Sequence, residues 1–492
     1  MTQEQKVPEE ETLDPADWES LRALGHRMVD DMVEYAKTVR ERPVWQHAPG
    51  RVRARLSQPL PLDPQSPEAV YEEFLEDVLP YPVGNIHPRF WGWVFGTGTV
   101  FGAFAEMLAA SMNIGASGGL AYQSANYVEY QVLDWLKEML GFPASASGLL
   151  TSGCSAANLI GLAVARNAKA GYDLRQEGAG VASGRMVLYA SGEIHSSVQK
   201  AVELLGLGSE ALRQVPVDGS FRIRTEALRA RIAQDRQSGY RPFCVVGAAG
   251  TTNTGAIDDL EALADLCLEE DLWLHVDGAF GAWAALAPEA RHLVQGMERA
   301  DSLAFDLHKW MYMPYEIGCV LVQRELDQRQ AFSLTPAYLA HGEGERGLTG
   351  IDLPWLADYG FQLSRGFRAL KAWISLKEHG SRKYGRMIQQ NIDQARYLAE
   401  LIKAAAELEL VAPVMLNVVC FRYVRAGLDG AALDALNKRI EIELQEQGTA
   451  VVSGTIIRDK YVLHVANCNQ RSRREDFRFL VEEVIRVGGC LT

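Results

Sequence analysis

The sequence predicts an α/β protein built on a mostly parallel β-sheet, with a helical arm before it and a smaller α/β section after it. Three observations predict this. From about residue 86 to 330, short apolar runs alternate with longer segments of helical periodicity, as expected for strands buried on both faces and joined by helices. Ahead of that stretch lie two helical patterns separated by a proline-rich connector. Beyond Gly380, strand and helix patterns resume on a smaller scale. The expected divisions are therefore 1–85 for the arm, 86–380 for the large domain and 381–492 for the small one.

The first helical pattern is LDPADWESLRALGHRMVDDMVEYAKTV. It sets Trp18, Leu21, Leu24, Met28, Met32, Tyr35 and Val39 at three- and four-residue spacing, one apolar stripe. Asp14 is the expected cap, Pro15 the first helical residue and Pro43 the stop. A second helix is expected over SPEAVYEEFLEDVLP, after the connector QPLPLDPQSP. An arm on such a linker is suited to packing on a partner subunit. In the large domain RMVLYAS, FCVVGAAG, LWLHVDGAF, SLAFD and GCVLVQ are the expected strands, and FQLSRGFRALKAWISLKEHG is a long helical region. The small domain offers strands at NVVCFRYV and YVLHVA and helices at GAALDALNKRIEIELQEQG and REDFRFLVEEVIRVG.

Composition narrows the function. At 492 residues the chain exceeds one compact core. A formal net charge of −14 opposes a nucleic-acid partner, whose phosphates it would repel. The seven cysteines are dispersed with no C-x-x-C pair, so neither a zinc site nor a disulfide framework is indicated, and a reduced cytoplasmic protein is expected. The acidic opening MTQEQKVPEEETLDP does not read as a secretory leader. Residues 139–165 carry no charge, yet Pro143 and several glycines and serines make them strand, turn and helix rather than a membrane span.

The chemistry concentrates at expected strand ends. In HVDGAFGAW, Asp277 closes an apolar strand, where open α/β sheets place their ligands. Lys309, in DSLAFDLHKWMYM, follows the next strand, so both belong to one edge of the sheet. A buried ion pair is the plain structural alternative. A pyridoxal phosphate site accounts for more: the lysine binds the cofactor aldehyde as a Schiff base and the carboxylate keeps the pyridine nitrogen protonated. Apolar surroundings are expected to lower the lysine pKa and leave the amine nucleophilic. Gly153, Cys154 and Ser155, in LLTSGCSAANLIGLAVAR, form a turn into a helix whose N–H groups suit a phosphate. His195, in SGEIHSSVQKA, is a flat ring able to stack on a pyridine, and Gly250, Thr251 and Thr252 supply short groups after another strand.

The stretches TSGCSAANL, EIHSSVQKA, GTTNTGAIDDL, HVDGAFGAW and FDLHKWM occur in the order and spacing of a known family. The chain resembles the pyridoxal-phosphate-dependent group II amino-acid decarboxylases over nearly its whole length. SRGFRALKAW and RSRREDFRFLVEEV extend the resemblance. It implies the aspartate aminotransferase-like architecture of fold type I, with a seven-stranded sheet, and a homodimer whose arm wraps the partner, with active sites at the interface. It also implies that Lys309 is the Schiff-base lysine, Asp277 the partner of the pyridinium nitrogen and His195 the stacking ring. Ala279 would pack under the ring and Thr252 close to it, with Gly153, Cys154, Ser155 and His308 around the phosphate. The implied reaction converts an amino acid to its amine and carbon dioxide.

The chain departs from the family at three places. Asp306 stands where the family has a phosphate-contacting asparagine, which sets a second anion beside the phosphate. Ala156 replaces a common glutamate. Leu356 falls where a loop tyrosine returns a proton to the α-carbon; Tyr359 and Tyr338 are nearby alternatives, and the glycine-rich stretch 342–350 suits a mobile lid. Relatives without that tyrosine can form aldehydes instead of amines, and another pyridoxal phosphate lyase or an aminotransferase is a more distant reading. The segment GNIHPRFWGWVFGTGTVFGAFAEML corresponds to the family's substrate pocket, so Phe90, Trp91, Trp93 and Phe95 are lining candidates for an aromatic or bulky apolar substrate. His87 and Arg89 leave a polar or acidic one open.

Overall fold

The computed structural model describes residues 11–118, 120–179, 184–334 and 353–491. The large sheet contains β1 (Ser147–Thr151), β2 (Met186–Ser191), β3 (Leu212–Val215), β4 (Arg241–Ala248), β5 (Trp273–Asp277), β6 (Ser302–Asp306) and β7 (Gly318–Val322). Their spatial order is β1-β7-β6-β5-β4-β2-β3. From β6 to β3 all neighbours are parallel, whereas β7 runs antiparallel to both β1 and β6. β1 therefore points the same way as the parallel strands, and all of these end on one edge.

Both faces of this sheet are covered, which is why its strands read as unbroken apolar runs: every residue of β2, β5, β6 and β7 is buried. β3 has no counterpart among the expected strands. It is a four-residue edge strand with Arg213 and Gln214 at its centre, too short and polar to show an apolar run. The helix Cys154–Lys169 lies across the sheet, against β5, β6 and β7. Its close approach depends on Gly161, where an added Cβ would stand 2.6 Å from His275 Cε1. The uncharged stretch 139–165 thus divides into the end of the helix Gln123–Leu140, β1 and this helix. Among the described residues no helix is long and apolar enough to cross a membrane.

The arm helix spans Trp18–Lys37 and is capped by Asp17 rather than Asp14: the Asp17 carboxylate accepts the Glu19 and Ser20 N–H groups at 3.0 and 3.2 Å. Capping needs an oxygen over the first turn, and Asp14 is one turn too early. On its apolar stripe Leu24 and Val39 are buried, while Trp18, Leu21 and Met28 remain exposed in the single chain. The second arm helix starts at Pro67, with Ser66 as its cap.

A long helical stretch, Ala369–Ala404, leads out of the large sheet's surroundings, broken at Gly380 (φ 68°, ψ 150°). It begins later than the expected FQLSRGF. The second sheet holds β8 (Leu408–Leu410), β9 (Val418–Tyr423), β10 (Ser453–Ile457) and β11 (Lys460–Ala466) in the order β10-β11-β9-β8, antiparallel throughout. The helices Gly430–Glu446 and Arg474–Leu491 pack on it through Ile440, Leu444, Phe477 and Leu480.

Candidate active site

Strand register assembles the site. Asp277 ends β5 opposite Ala304 of β6. Asp306 ends β6 opposite Gly318 of β7, which in turn lies opposite Thr151 at the end of β1. Immediately after Thr151 the chain turns through Gly153 into the helix that starts at Cys154. The Lys309 loop, the Cys154 turn and the Asp277 strand end therefore meet at one edge.

Asp277 is buried and accepts from three donors. Ala279 N–H reaches Oδ1 at 3.1 Å, the Cys154 thiol reaches Oδ1 at 3.5 Å, and Asn158 Nδ2 reaches Oδ2 at 2.9 Å. Burial pushes the Cys154 thiol well above its usual pKa, reinforced by Asp277 and Asp306, so it stays a protonated donor. Because Asn158 must turn its amide nitrogen to Asp277, its Oδ1 faces His275 Nε2 at 2.9 Å and accepts that proton. His275 Nδ1 then accepts from Ser302, whose oxygen takes the Trp273 indole N–H. Burial holds the His275 pKa down at about 4, so the chain of bonds is neutral beyond the carboxylate. Asn158 Nδ2 also reaches the Ser197 hydroxyl at 3.0 Å. Ser197 meets His195 Nδ1 with its backbone N–H at 3.2 Å and its hydroxyl at 2.8 Å. That leaves His195 Nε2 to carry the proton on an accessible ring whose pKa is lowered mainly by desolvation.

Lys309 Nζ lies 3.1 Å from Asp306 Oδ2, and Cys154 N–H donates to Asp306 Oδ1 at 2.6 Å. The expectation of a lowered lysine pKa fails in the free chain. Desolvation does oppose the charge, but the Asp306 and Asp277 carboxylates outweigh it and raise the value. His308 Nε2 stands 3.7 Å from Asp306 Oδ2, with Nδ1 against the Ile317 backbone. The turn is tight. An added Cβ on Gly318 would lie 2.7 Å from Gly153 Cα and 2.8 Å from Asp306 Oδ1.

The other expected residues separate into two groups. Ala279 sits beside Asp277, Ser155 is exposed in the first helical turn, and the Thr252 carbonyl takes His464 Nε2 of β11 at 2.9 Å. Trp93 and Phe95 pack at 5.8 Å between ring centres, Phe95 and Tyr315 at 5.7 Å, and Tyr315 and His308 at 4.3 Å. These rings form a path ending beside Lys309. Phe90 backs that path from a buried position, 6.0 Å from Phe95.

Trp91 does not line the site. It is buried in the core of the small sheet, stacked 4.8 Å from Phe477, because the chain crosses to β11 there and Ala466 N–H bonds its carbonyl. His87 is buried against the arm junction with its pKa held at about 4 by desolvation, and Arg89 turns onto the Phe479 ring. Neither side chain is bonded to the Lys309 cluster among the described residues.

Sequence reading missed Asn158, Ser197, His275 and Tyr315. The first three lie inside quoted motifs, and Tyr315 follows Lys309 in an aromatic run, which was the available signal. Leu356 is fully buried, and the Tyr359 hydroxyl donates to Glu325. Tyr338 and stretch 342–350 lie outside the described residues.

A phosphorylated pyridine aldehyde fits this donor set. Lys309 supplies an amine, Asp277 an acceptor for a protonated ring nitrogen, and the Ser155 N–H at the helix start has no partner among the described residues. Comparison with known proteins agrees. Residues 49–424 match the pyridoxal-dependent decarboxylase conserved domain. An aromatic-L-amino-acid decarboxylase of Bacillus atrophaeus is 34% identical, covering 93% of each chain. A phenylacetaldehyde synthase of Arabidopsis thaliana is 29% identical over 92% of this chain and 93% of its own. The structure of Oryza sativa TDC with PLP and tryptamine superposes with a TM-score of 0.89 at 26% identity, over 98% of this chain and 100% of the other. The architecture is thus that of the fold type I pyridoxal phosphate enzymes, and the chain belongs to the family of pyridoxal-dependent amino-acid decarboxylases.

Proposed function

We propose that this chain decarboxylates an aromatic L-amino acid to its amine, with Lys309, Asp277 and His195 as the catalytic residues. The observation that carries the substrate class is the ring path Trp93–Phe95–Tyr315–His308 that ends beside Lys309. Aromatic walls favour an aromatic side chain through stacked and edge-on contacts. The relatives named above for aromatic substrates and products support the same reading.

Lys309 would hold the cofactor through its amine. When bound, the pyridine ring draws in the electron pair left by the departing carboxylate. Asp277 keeps the ring nitrogen protonated, and Asn158 and the Cys154 thiol hold that carboxylate in place. His195 offers a flat ring with its proton on Nε2, and Ser155 N–H and the Gly153–Cys154 turn seat the phosphate.

The working unit is a homodimer. The exposed apolar residues Trp18, Leu21 and Met28 of the arm, with Phe101, Met107 and Leu108 of the helix Val100–Met112, support this. The unpaired cysteines suit the reducing cytoplasm.

A second reading rests on Leu356 and on the engaged Tyr359 hydroxyl. Without a tyrosine to return the proton, molecular oxygen reacts instead, and aldehyde, ammonia and hydrogen peroxide accompany the carbon dioxide. Incubating the protein with each aromatic amino acid separates the two. Amine without peroxide is the expected result, aldehyde with peroxide supports the second reading, and no carbon dioxide from any of them defeats both.

A further inference from the structure

We propose that Asp306 becomes a neutral acid when the cofactor binds, taking the proton that Lys309 sheds and presenting it to the cofactor phosphate. The proposal rests on Lys309 as the cofactor lysine and the Cys154 turn as the phosphate seat. In the free chain Asp306 is only 2% exposed. Its Oδ1 already holds the Cys154 N–H at 2.6 Å, so an internal anion occupies the start of the helix that also has to receive the phosphate. Its Oδ2 rests 3.1 Å from the Lys309 ammonium, which balances the charge.

Among the described residues, the groups around Asp306 offer no other counter-charge. On its own segment, His308 stands 3.7 Å away with its pKa lowered by burial. From the helix comes the Cys154 thiol, kept protonated by burial, and beyond that thiol lies the second anion, Asp277. Tyr315 and His195 face the cluster as well; burial raises the phenol pKa and lowers that of the imidazole, so both are neutral. Among the described residues facing Asp306, Lys309 is therefore the cation.

Cofactor binding removes that balance. The Lys309 ammonium passes one proton to Asp306 Oδ2, 3.1 Å away, and the amine so formed condenses with the aldehyde, forming a carbon–nitrogen double bond and releasing water, while the phosphate brings negative charge to the same turn. Two anions sharing one buried site favour protonation of one of them. A proton on Oδ2 turns an acceptor into a donor toward the phosphate, and Oδ1 keeps the Cys154 N–H. Asparagine is the uncharged equivalent of that state. Asp306→Asn therefore preserves the bonds and removes the proton.

The test is titration of the cofactor-free protein with pyridoxal phosphate by calorimetry at about pH 8, in two buffers of different ionisation enthalpy. The native protein is expected to take up about one proton more than Asp306→Asn. Its affinity relative to that variant is expected to fall about tenfold per pH unit. Equal proton numbers with parallel affinity profiles overturn the proposal. Asp306→Ser, which keeps an acceptor for Cys154 N–H, serves as the second variant and is expected to behave like Asp306→Asn. Lys309→Ala separates the two levels of the argument. If it retains the visible absorbance of the bound cofactor, the site assignment falls and the proposal with it. If it is colourless while the proton counts are equal, the proposal alone falls.

Discussion

Asn158 fixes the orientation of every polar group behind Asp277. Its amide can satisfy the carboxylate in one sense only, and that sense commits His275 to a neutral ring with its proton on Nε2. A histidine buried neutral has a definite pH signature. His275 has a folded pKa of about 4 against an ordinary histidine value of 6.5, so its contribution is complete above about pH 6.5. As pH falls toward 4, the unfolded chain binds a proton that the folded chain refuses. This one group then costs on the order of 3 kcal/mol. Urea denaturation of the cofactor-free protein at successive pH values is expected to show falling stability across that window, with a shallower fall in His275→Asn. An equal slope in the two proteins would contradict the assignment. None of this was legible in SAANLIG or LWLHVDG, because a polar residue in a helix and another in a strand acquire roles only when packing joins them.

The Cys154–Lys169 helix and strand β7 meet at a spacing that only glycine allows. Gly318 lies opposite both Asp306 and Thr151, and a methyl group there would press on the Gly153 backbone and the Asp306 carboxylate. Backbone on one side cannot yield cheaply, so the helix start has to shift. Gly318→Ala is expected to weaken pyridoxal phosphate binding at least tenfold while the far-ultraviolet circular dichroism of the sheet and helices is retained. Unchanged affinity would mean that the turn does not seat the phosphate. At this scale the sequence read well where periodicity was strong. It slipped at the arm cap, where Asp14 and Asp17 both precede the helix, and at β3, whose edge position leaves no apolar alternation.

For the whole molecule, exposed apolar surface is the unresolved term in a single chain. Leu108 is 46% exposed and Met107 50%, on the same helix that Gly102 fits against Pro314 in the Lys309 loop. A surface of this kind is expected to be covered by a second copy. Sedimentation at micromolar concentration should give a dimer of the 54.3 kDa chain, and Leu108→Glu should shift it toward monomer. A native protein that sediments as monomer would remove the dimer from the proposal. Within the chain, β1 of the large sheet is tied by the buried Arg365–Glu129 pair and by Arg365 N–H bonds to the Ala116 and Leu150 carbonyls.

By itself the sequence determined the α/β class, the cofactor chemistry and the residues at the strand ends. Those features are written locally: buried strands are apolar runs, and a lysine or aspartate that closes such a run is conspicuous against it. Tertiary structure decided which aromatic residues face Lys309, sending Trp91 into the small-sheet core while Trp93 and Phe95 stay on the ring path. It decided that Lys309 is held as an ammonium by Asp306 instead of being freed by apolar surroundings. The reason is common to both. Side-chain direction and electrostatic neighbours depend on which strand ends and helix starts are brought together, and those lie far apart along the chain.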